Sequence, residues 1–273
     1  MKRPLCIAAL TLATWFYGSA AAFGCGDLFS GLIAEFPGVA GVVVADPATG
    51  YRYAHEDGAI FPSASLYKLA VMLEAYRAAR DGEISLDDTS ATITAADLIE
   101  GGAVGEGAAP SVRELIELMI TRSDNASAHA LLRLLGPRAI NATAETFGLH
   151  DTRLNTPLPA AERTAPFNTT TARDIEAFFE GLMAGSLVGP AESREMLEVL
   201  GRQRVNDRIP AALPPDTLVA HKTGNLDAIA HDGGVVWTPS GPRIVVVLTG
   251  GFEQYDDAVA LARQVAVAAY ALY

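Results

Sequence analysis

Ser65 and Lys68 stand one helical turn apart at the head of the run Ser65 to Arg80, in which Leu66, Leu69, Ala70, Leu73 and Tyr76 recur at helical spacing. Packing of those apolar side chains leaves the serine and the lysine to project elsewhere. A serine hydroxyl is a poor nucleophile at neutral pH, but an amine one turn away can take its proton when burial or a second cation disfavours the ammonium form. The same spacing is common on solvated helices, so it gains meaning only from what accompanies it. Two further groups do accompany it. Ser123-Asp124-Asn125 follows the helical run Ser111 to Thr121, and Lys222-Thr223-Gly224 precedes a turn. Each alone has a plain structural reading, as a helix N-cap cluster and as a solvated strand edge. Together and in this order they supply a second hydroxyl, an amide, a second amine and a glycine that permits close backbone approach.

The elements that must position these groups fall into two patterns. Leu28 to Phe36 reads as a short amphipathic helix stopped by Pro37-Gly38, and Val39 to Ala45 as an apolar β-branched strand. The turn Asp46 to Gly50 joins that strand to the alternating Tyr51 to Ala54 as a hairpin. A second hairpin is expected at the far end, Gly233 to Thr238 and Ile244 to Gly250 around Pro239-Ser240-Gly241-Pro242. The alanine-rich stretch Asp256 to Tyr273 should pack on that sheet as a helix. Between the two ends, Ser65 to about Arg204 shows helical periodicity and almost no strand signal. Ser111-Val112-Arg113-Glu114 is a capping box, Asn125 to Leu135 and Thr171 to Leu182 continue the helical pattern, and Gly101 to Pro110 is a glycine-rich loop. The expected fold is α+β: an antiparallel sheet with flanking helices from residues 23–64 and 205–273, and an all-helical domain, 65–204, inserted between them. A site at the seam is the natural place for chemistry.

With 273 residues, 50% hydrophobic and 19% charged, the chain can bury a sizeable core. A formal net charge of −12 argues against nucleic acid or an anionic membrane as partner. Lys2 and Arg3, the apolar stretch Leu5 to Phe16 and the small residues Ala20-Ala21-Ala22 read as an export signal covering 1–22. The apolar core is too short to span a bilayer, so a periplasmic or secreted protein is expected. Cys6 would leave with that signal. Cys25 would remain as a free thiol or, on the less favoured reading, as a lipidated first residue. His55, His129, His150 and His221 share no metal-ligand spacing, so neither a metal nor a cofactor is expected.

The ordered set Ser65-x-x-Lys68, Ser123-Asp124-Asn125 and Lys222-Thr223-Gly224 resembles the class A β-lactamase family of serine acyl-transfer enzymes. The likeness runs from about Leu28 to the C-terminus and includes Ser111 to Leu115 and Ile120 to Asn125. It implies a helical domain set against an α/β domain, and a small-molecule β-lactam or cell-wall peptide as the substrate of a monomeric enzyme. Ser65 would attack the amide carbonyl, with Lys68 accepting its proton directly or through a relay. Lys222 would disfavour the charge on Lys68 and hold an anionic substrate, and Ser123 would protonate the leaving nitrogen. Asn125 would bind a substrate side-chain amide and Thr223 a carboxylate, with Gly224 allowing close approach. By the resemblance, the backbone N–H groups of Ser65 and Asn225 form the oxyanion site. Arg208 is either an upstream arginine that meets the substrate carboxylate or a surface residue beside Asp207. His231 beside Asp232 is better read as structural, because the lysine already has the base role.

The chain departs from the family in one respect. The Glu-x-x-Leu-Asn motif, whose glutamate activates the water that hydrolyses the acyl-enzyme, is absent, and the stretch Thr152 to Arg163 looks short. Glu162 is then either a displaced water-activating base or a solvated charge paired with Arg163. Three functions stay open at this point: a β-lactamase, a D-alanyl-D-alanine peptidase or esterase-like hydrolase, and a penicillin-binding sensor that does not turn over.

Overall fold

A computed structural model describes residues 25–155 and 167–272. The export-signal stretch and Glu162 lie outside these residues, as does the side chain of Cys25.

Hydrophobic runs at the two chain ends meet in one sheet. Strands β1 (Val39–Asp46), β2 (Tyr51–His55), β5 (Val219–Leu226), β6 (Ile229–Thr238) and β7 (Gly241–Gly250) form an antiparallel sheet in the order β2-β1-β7-β6-β5. The first-to-last pairing sets Val43 opposite Val246, and the β5–β6 hairpin sets Lys222, Thr223 and Gly224 opposite Gly233, Asp232 and His231. Alternate side chains of β1 enter different cores. Val42 and Val44 face Phe29 of α1 (Cys25–Ala34) and Leu261 and Val265 of α8 (Tyr255–Tyr270), while Val43 and Ala45 face the helical layer. Both sheet faces are therefore covered, which is why β1 is a continuous apolar run rather than an alternating one. The edge strand β2 does alternate, since one of its faces is wet.

Helix α2 (Lys68–Arg80) is the axis of the helical layer and is buried almost throughout. It continues from a 3₁₀ turn, Ala64–Tyr67, so the Ser65 to Arg80 run is two coaxial pieces, with Ser65 on the tighter one. Around it pack α3 (Val112–Thr121), α4 (Asn125–Leu135) and α5 (Pro137–Thr146), while α6 (Ala172–Ala184) and α7 (Pro190–Leu200) pack on each other and share the same core. The capping box of α3 is formed: the Ser111 hydroxyl accepts from Glu114 N at 3.2 Å and the Glu114 carboxylate from Ser111 N at 2.8 Å. Asp124 caps α4 by accepting from Ser127 N at 2.7 Å, and Thr171 caps α6 by accepting from Asp174 N. Helices α5 and α7, which no periodicity announced, each begin with proline directly after a glycine.

Two features exceed the sequence reading. Helix α6 lies on the sheet, with Ile175, Phe178 and Phe179 in one core with Val246 and Leu248. A two-stranded pair, β3 (Phe61–Pro62) with β4 (Thr169–Thr170), sits immediately before the Ser65 turn. The glycine-rich loop is not loose at its far end, since Gly107 N donates to Ile93 O at 2.9 Å and Ile93 N to Ala108 O at 2.7 Å. Among the described residues, no helix is long and apolar enough to cross a membrane.

Candidate active site

Ser65 sits in the 3₁₀ turn behind Ala64, whose φ of 44° is left-handed and strained for a residue with a side chain. Strand β5 passes directly beside this turn. A Cβ on Gly224 would stand 3.0 Å from Ala64 Cβ and 3.2 Å from both Ser63 O and Ser65 N. Glycine there lets two backbones approach, and what it approaches first is the turn that carries Ser65. The N–H of Ser65 thereby comes to lie beside the strand that carries Asn225, as an oxyanion site built from those two donors requires.

Lys68 and Lys222 arrive from opposite sides, the first on α2 and the second on β5, and both are fully buried. Lys68 Nζ donates to Ser123 O at 2.8 Å and to Asn125 Oδ1 at 2.5 Å, and lies 3.4 Å from Ser123 Oγ. Lys222 Nζ donates to the same Ser123 Oγ at 2.9 Å and to Thr223 O at 2.8 Å. Two amines thus converge on one hydroxyl. Ser123 holds its hydroxyl in place with a left-handed backbone, φ 57°, at the junction between α3 and the Asp124 cap of α4.

Ser65, Ser123, Asn125, Thr223 and Asn225 line a cavity of about 210 Å³, together with Glu100, Val205 and Leu226. Ser65 is 8% exposed and lines the cavity, so its hydroxyl is reachable from there, while both lysines are fully buried behind it. Larger cavities of about 740 and 1010 Å³ lie elsewhere, one between α3 and α7 and one beside α1, and neither holds a residue of the three motifs. Convergent polar groups, rather than volume, mark the site.

Arg208 does not line this cavity. It is fully buried under the sheet end, where its guanidinium donates to His231 O at 2.8 Å, to Asn225 Oδ1 and to Tyr255 Oη, with the Tyr255 ring 5.5 Å away. It is neither a solvated surface arginine nor in direct line with the cavity; it meets the site through the Asn225 side chain. His231 lies inside β6. Its Nδ1 accepts from Thr249 N at 3.1 Å, so Nε2 carries the proton and donates to Pro62 O at 2.9 Å. Burial, helped by the nearby Arg208 charge, pushes this imidazole down to about 4. A neutral ring with both nitrogens engaged is a tether between strands. His221, one residue before Lys222, bridges Asp232 Oδ1 at 2.8 Å and Asn206 Oδ1 at 2.9 Å.

Glu100, Val205 and Leu226 are the lining residues that sequence reasoning missed. None belongs to a motif, and Glu100 sits at the edge of a glycine-rich stretch with no periodicity to place it. Among the described residues, no group of three or more His, Cys, Asp or Glu side chains is arranged to hold a metal ion.

Comparison with known proteins shows the family and the fold. A sequence model of the beta-lactamase enzyme family matches residues 27–273. A beta-lactamase from Streptomyces fradiae is 33% identical over 226 residues, covering 76% of this chain and 72% of that protein. Among solved structures, an ancestral class A beta-lactamase matches with a TM-score of 0.82 and 29% identity over 89% of this chain and 98% of its own. PBP-A matches with a TM-score of 0.82 and 25% identity over 90% and 94%. Since the likeness runs from the first helix to the C-terminus and spans all three motifs, the chain belongs to the beta-lactamase enzyme family.

Proposed function

We propose that the protein is an exported serine hydrolase that opens the β-lactam ring through an acyl-enzyme on Ser65. The observation that carries this reading is the convergence of Lys68 Nζ and Lys222 Nζ on the Ser123 hydroxyl, beside a reachable Ser65. In the acylation step Ser65 Oγ bonds to the lactam carbonyl carbon and its proton passes to Lys68. The negative charge that develops on the carbonyl oxygen is held by the N–H groups of Ser65 and Asn225. The C–N bond then breaks, and the nitrogen takes a proton from Ser123, which is resupplied from the lysine pair. Thr223, with Lys222 behind it and Arg208 backing it through Asn225, forms the part of the cavity lining suited to the substrate carboxylate. The named activities of relatives, the Streptomyces fradiae beta-lactamase among them, support the same reading. Export rests on Lys2, Arg3 and the apolar stretch that follows.

Mixing the protein with penicillin and following intact mass tests this. A covalent adduct of one equivalent on Ser65, absent in Ser65→Ala and cleared with steady turnover, is the expected result; no adduct at all would remove the assignment.

A second reading, a peptidase-like or slowly turning-over penicillin-binding protein on the same scaffold, is favoured by two observations. The Glu-x-x-Leu-Asn motif is absent, and PBP-A is as similar in fold as the ancestral beta-lactamase. Glu162 is either the base that activates the hydrolytic water or a solvated charge paired with Arg163, and on the first alternative Glu162→Gln should lengthen the adduct lifetime by about 10²-fold or more. Steady hydrolysis at the wild-type rate would discard Glu162, and a burst without turnover in the unmodified protein would select the second reading.

A further inference from the structure

We propose that Gln203 is a positioning residue for proton delivery: its buried carboxamide fastens the end of α3 to β5 and so holds the Ser123 hydroxyl within hydrogen-bond reach of Lys222. This rests on the reading of the cavity as a serine acyl-transfer site and names a residue outside the cavity on which that site depends.

A glutamine carboxamide offers two N–H hydrogens and two lone-pair directions. Gln203 is buried and uses all of them. Its Nε2 donates to Ile120 O at 2.8 Å and to His221 O at 3.4 Å, while its Oε1 accepts from Arg204 N at 2.9 Å and from Val205 N at 3.1 Å. With carbonyls on one side and N–H groups on the other, the amide has only one satisfied orientation. Its partners come from three parts of the chain: the last turn of α3, the strand β5, and the turn that follows α7.

Each partner stands next to a group of the site. Ile120 lies three residues before Ser123, and His221 directly precedes Lys222. Val205 lines the cavity itself. Strand β5 is outermost in the sheet, so its outer edge meets side chains rather than another strand, and Gln203 takes the carbonyl just before Lys222. Arg204 N reinforces the join, since it also donates to Thr121 O at 2.9 Å. The 2.9 Å bond from Lys222 Nζ to Ser123 Oγ is thus backed by a second, buried connection between the same two parts of the chain.

The two sides are not equally fixed without Gln203. Strand β5 would keep its pairing with β6, where Lys222 stands opposite Gly233, and its close approach at Gly224 to the Ser65 turn. Ser123 would keep the bond that its carbonyl accepts from Lys68 Nζ, on the α2 side. What Gln203 adds is the hold from the Lys222 side. Its loss lets the Ser123 hydroxyl drift from Lys222, while Thr223 stays where the substrate carboxylate is expected. A displacement of about 1 Å at a proton donor costs up to about 10²-fold in rate.

Acylation of Ser65 by penicillin G, followed by rapid quenching and intact mass over a range of concentrations, tests this. It yields separately the dissociation constant of the non-covalent complex and the first-order acylation rate constant. Gln203→Met keeps the side-chain volume and removes every bond of the carboxamide. Gln203→Asn can still hold the turn by an Asx-type bond but is one methylene too short to reach Ile120 O, and it carries the test if Gln203→Met does not fold. The acylation rate constant should fall by about 10- to 100-fold in Gln203→Met and by about tenfold in Gln203→Asn, with the dissociation constant moving by less than about threefold. Ser193→Ala, which removes a buried bond to Leu187 O at 2.8 Å at the other end of α7, controls for lost stability and should change neither constant. Parallel changes in both constants, an equal loss in Ser193→Ala, or an unchanged rate constant in the folded Gln203 variants would overturn the proposal. Acylation indifferent to Gln203 leaves the acyl-transfer reading standing, whereas absence of any Ser65 adduct in the unmodified protein removes both.

Discussion

Gly224 is where residue type and chemistry are most tightly linked. The strand bearing Lys222, Thr223 and Asn225 reaches the Ser65 turn only because position 224 has no side chain, since a Cβ would stand 3.2 Å from Ser65 N. Gly224→Ala should therefore push β5 and the nucleophile turn apart and spoil the spacing of the two oxyanion donors. The expected outcome is a loss of about 10²-fold in the acylation rate. Global stability should fall by only about 1–2 kcal/mol, as in other overpacked sites. A variant acylated at the wild-type rate would show that the contact does not set the oxyanion geometry. Strain accompanies this packing. Ala64 and Ser123 both hold left-handed backbones, and both lie at positions that aim a hydroxyl into the cavity.

At the scale of elements, His231 ties three strands together. Carried on β6, it accepts from Thr249 on β7 and donates to Pro62 on β3, the pair that precedes the nucleophile turn. Its ring is held down at about 4 by burial, below the ordinary 6.5, so the unfolded chain binds a proton that the folded one refuses. The resulting stability is complete above pH 6.5 and is lost as pH falls from there towards 4, up to about 3 kcal/mol in all. The paired carboxylates Asp57 and Asp97 are held below their ordinary range of 3.8, and their contributions are lost at more acid pH. Urea unfolding at pH 7 and pH 4.5 should show this early loss, and His231→Asn should flatten it while lowering stability at pH 7. An equally steep fall in the variant would place the acid sensitivity elsewhere.

At the scale of the whole molecule, the site is the place where the chain's ends meet its middle. Arg208 is the clearest example: its guanidinium gathers Asn225 of β5, His231 of β6 and Tyr255 of α8, while the Tyr255 hydroxyl also donates to Asp207 at 2.7 Å. Removing a buried, multiply bonded cation leaves its acceptors unmatched and should cost about 3 kcal/mol of stability. Because Arg208 reaches the carboxylate end of the cavity through Asn225, Arg208→Ala should also raise KM for carboxylate-bearing substrates more than it lowers kcat. Steady-state kinetics on the folded variant checks this, and an unchanged KM would confine Arg208 to a structural role.

The sequence by itself determined the parts that depend on local order. Ser65 and Lys68 share a helical turn because 3.6 residues complete one, the capping box at Ser111 and the Asp124 cap follow from side-chain reach, and the hairpins follow from alternation broken by Pro and Gly. The three motifs carried the family because their order along the chain is itself information. Tertiary structure decided what no window of residues can contain. That Lys68 and Lys222, 154 positions apart, meet on one hydroxyl is a result of packing the 3₁₀ turn before α2 against β5, not of either motif alone. Arg208 turned inward for the same reason: nothing near it in sequence reveals that Asn225, His231 and Tyr255 would be its neighbours. Glu100 came to the cleft because Gly102 fits against Ala126, a contact 24 residues long in the chain and a few ångströms wide in space.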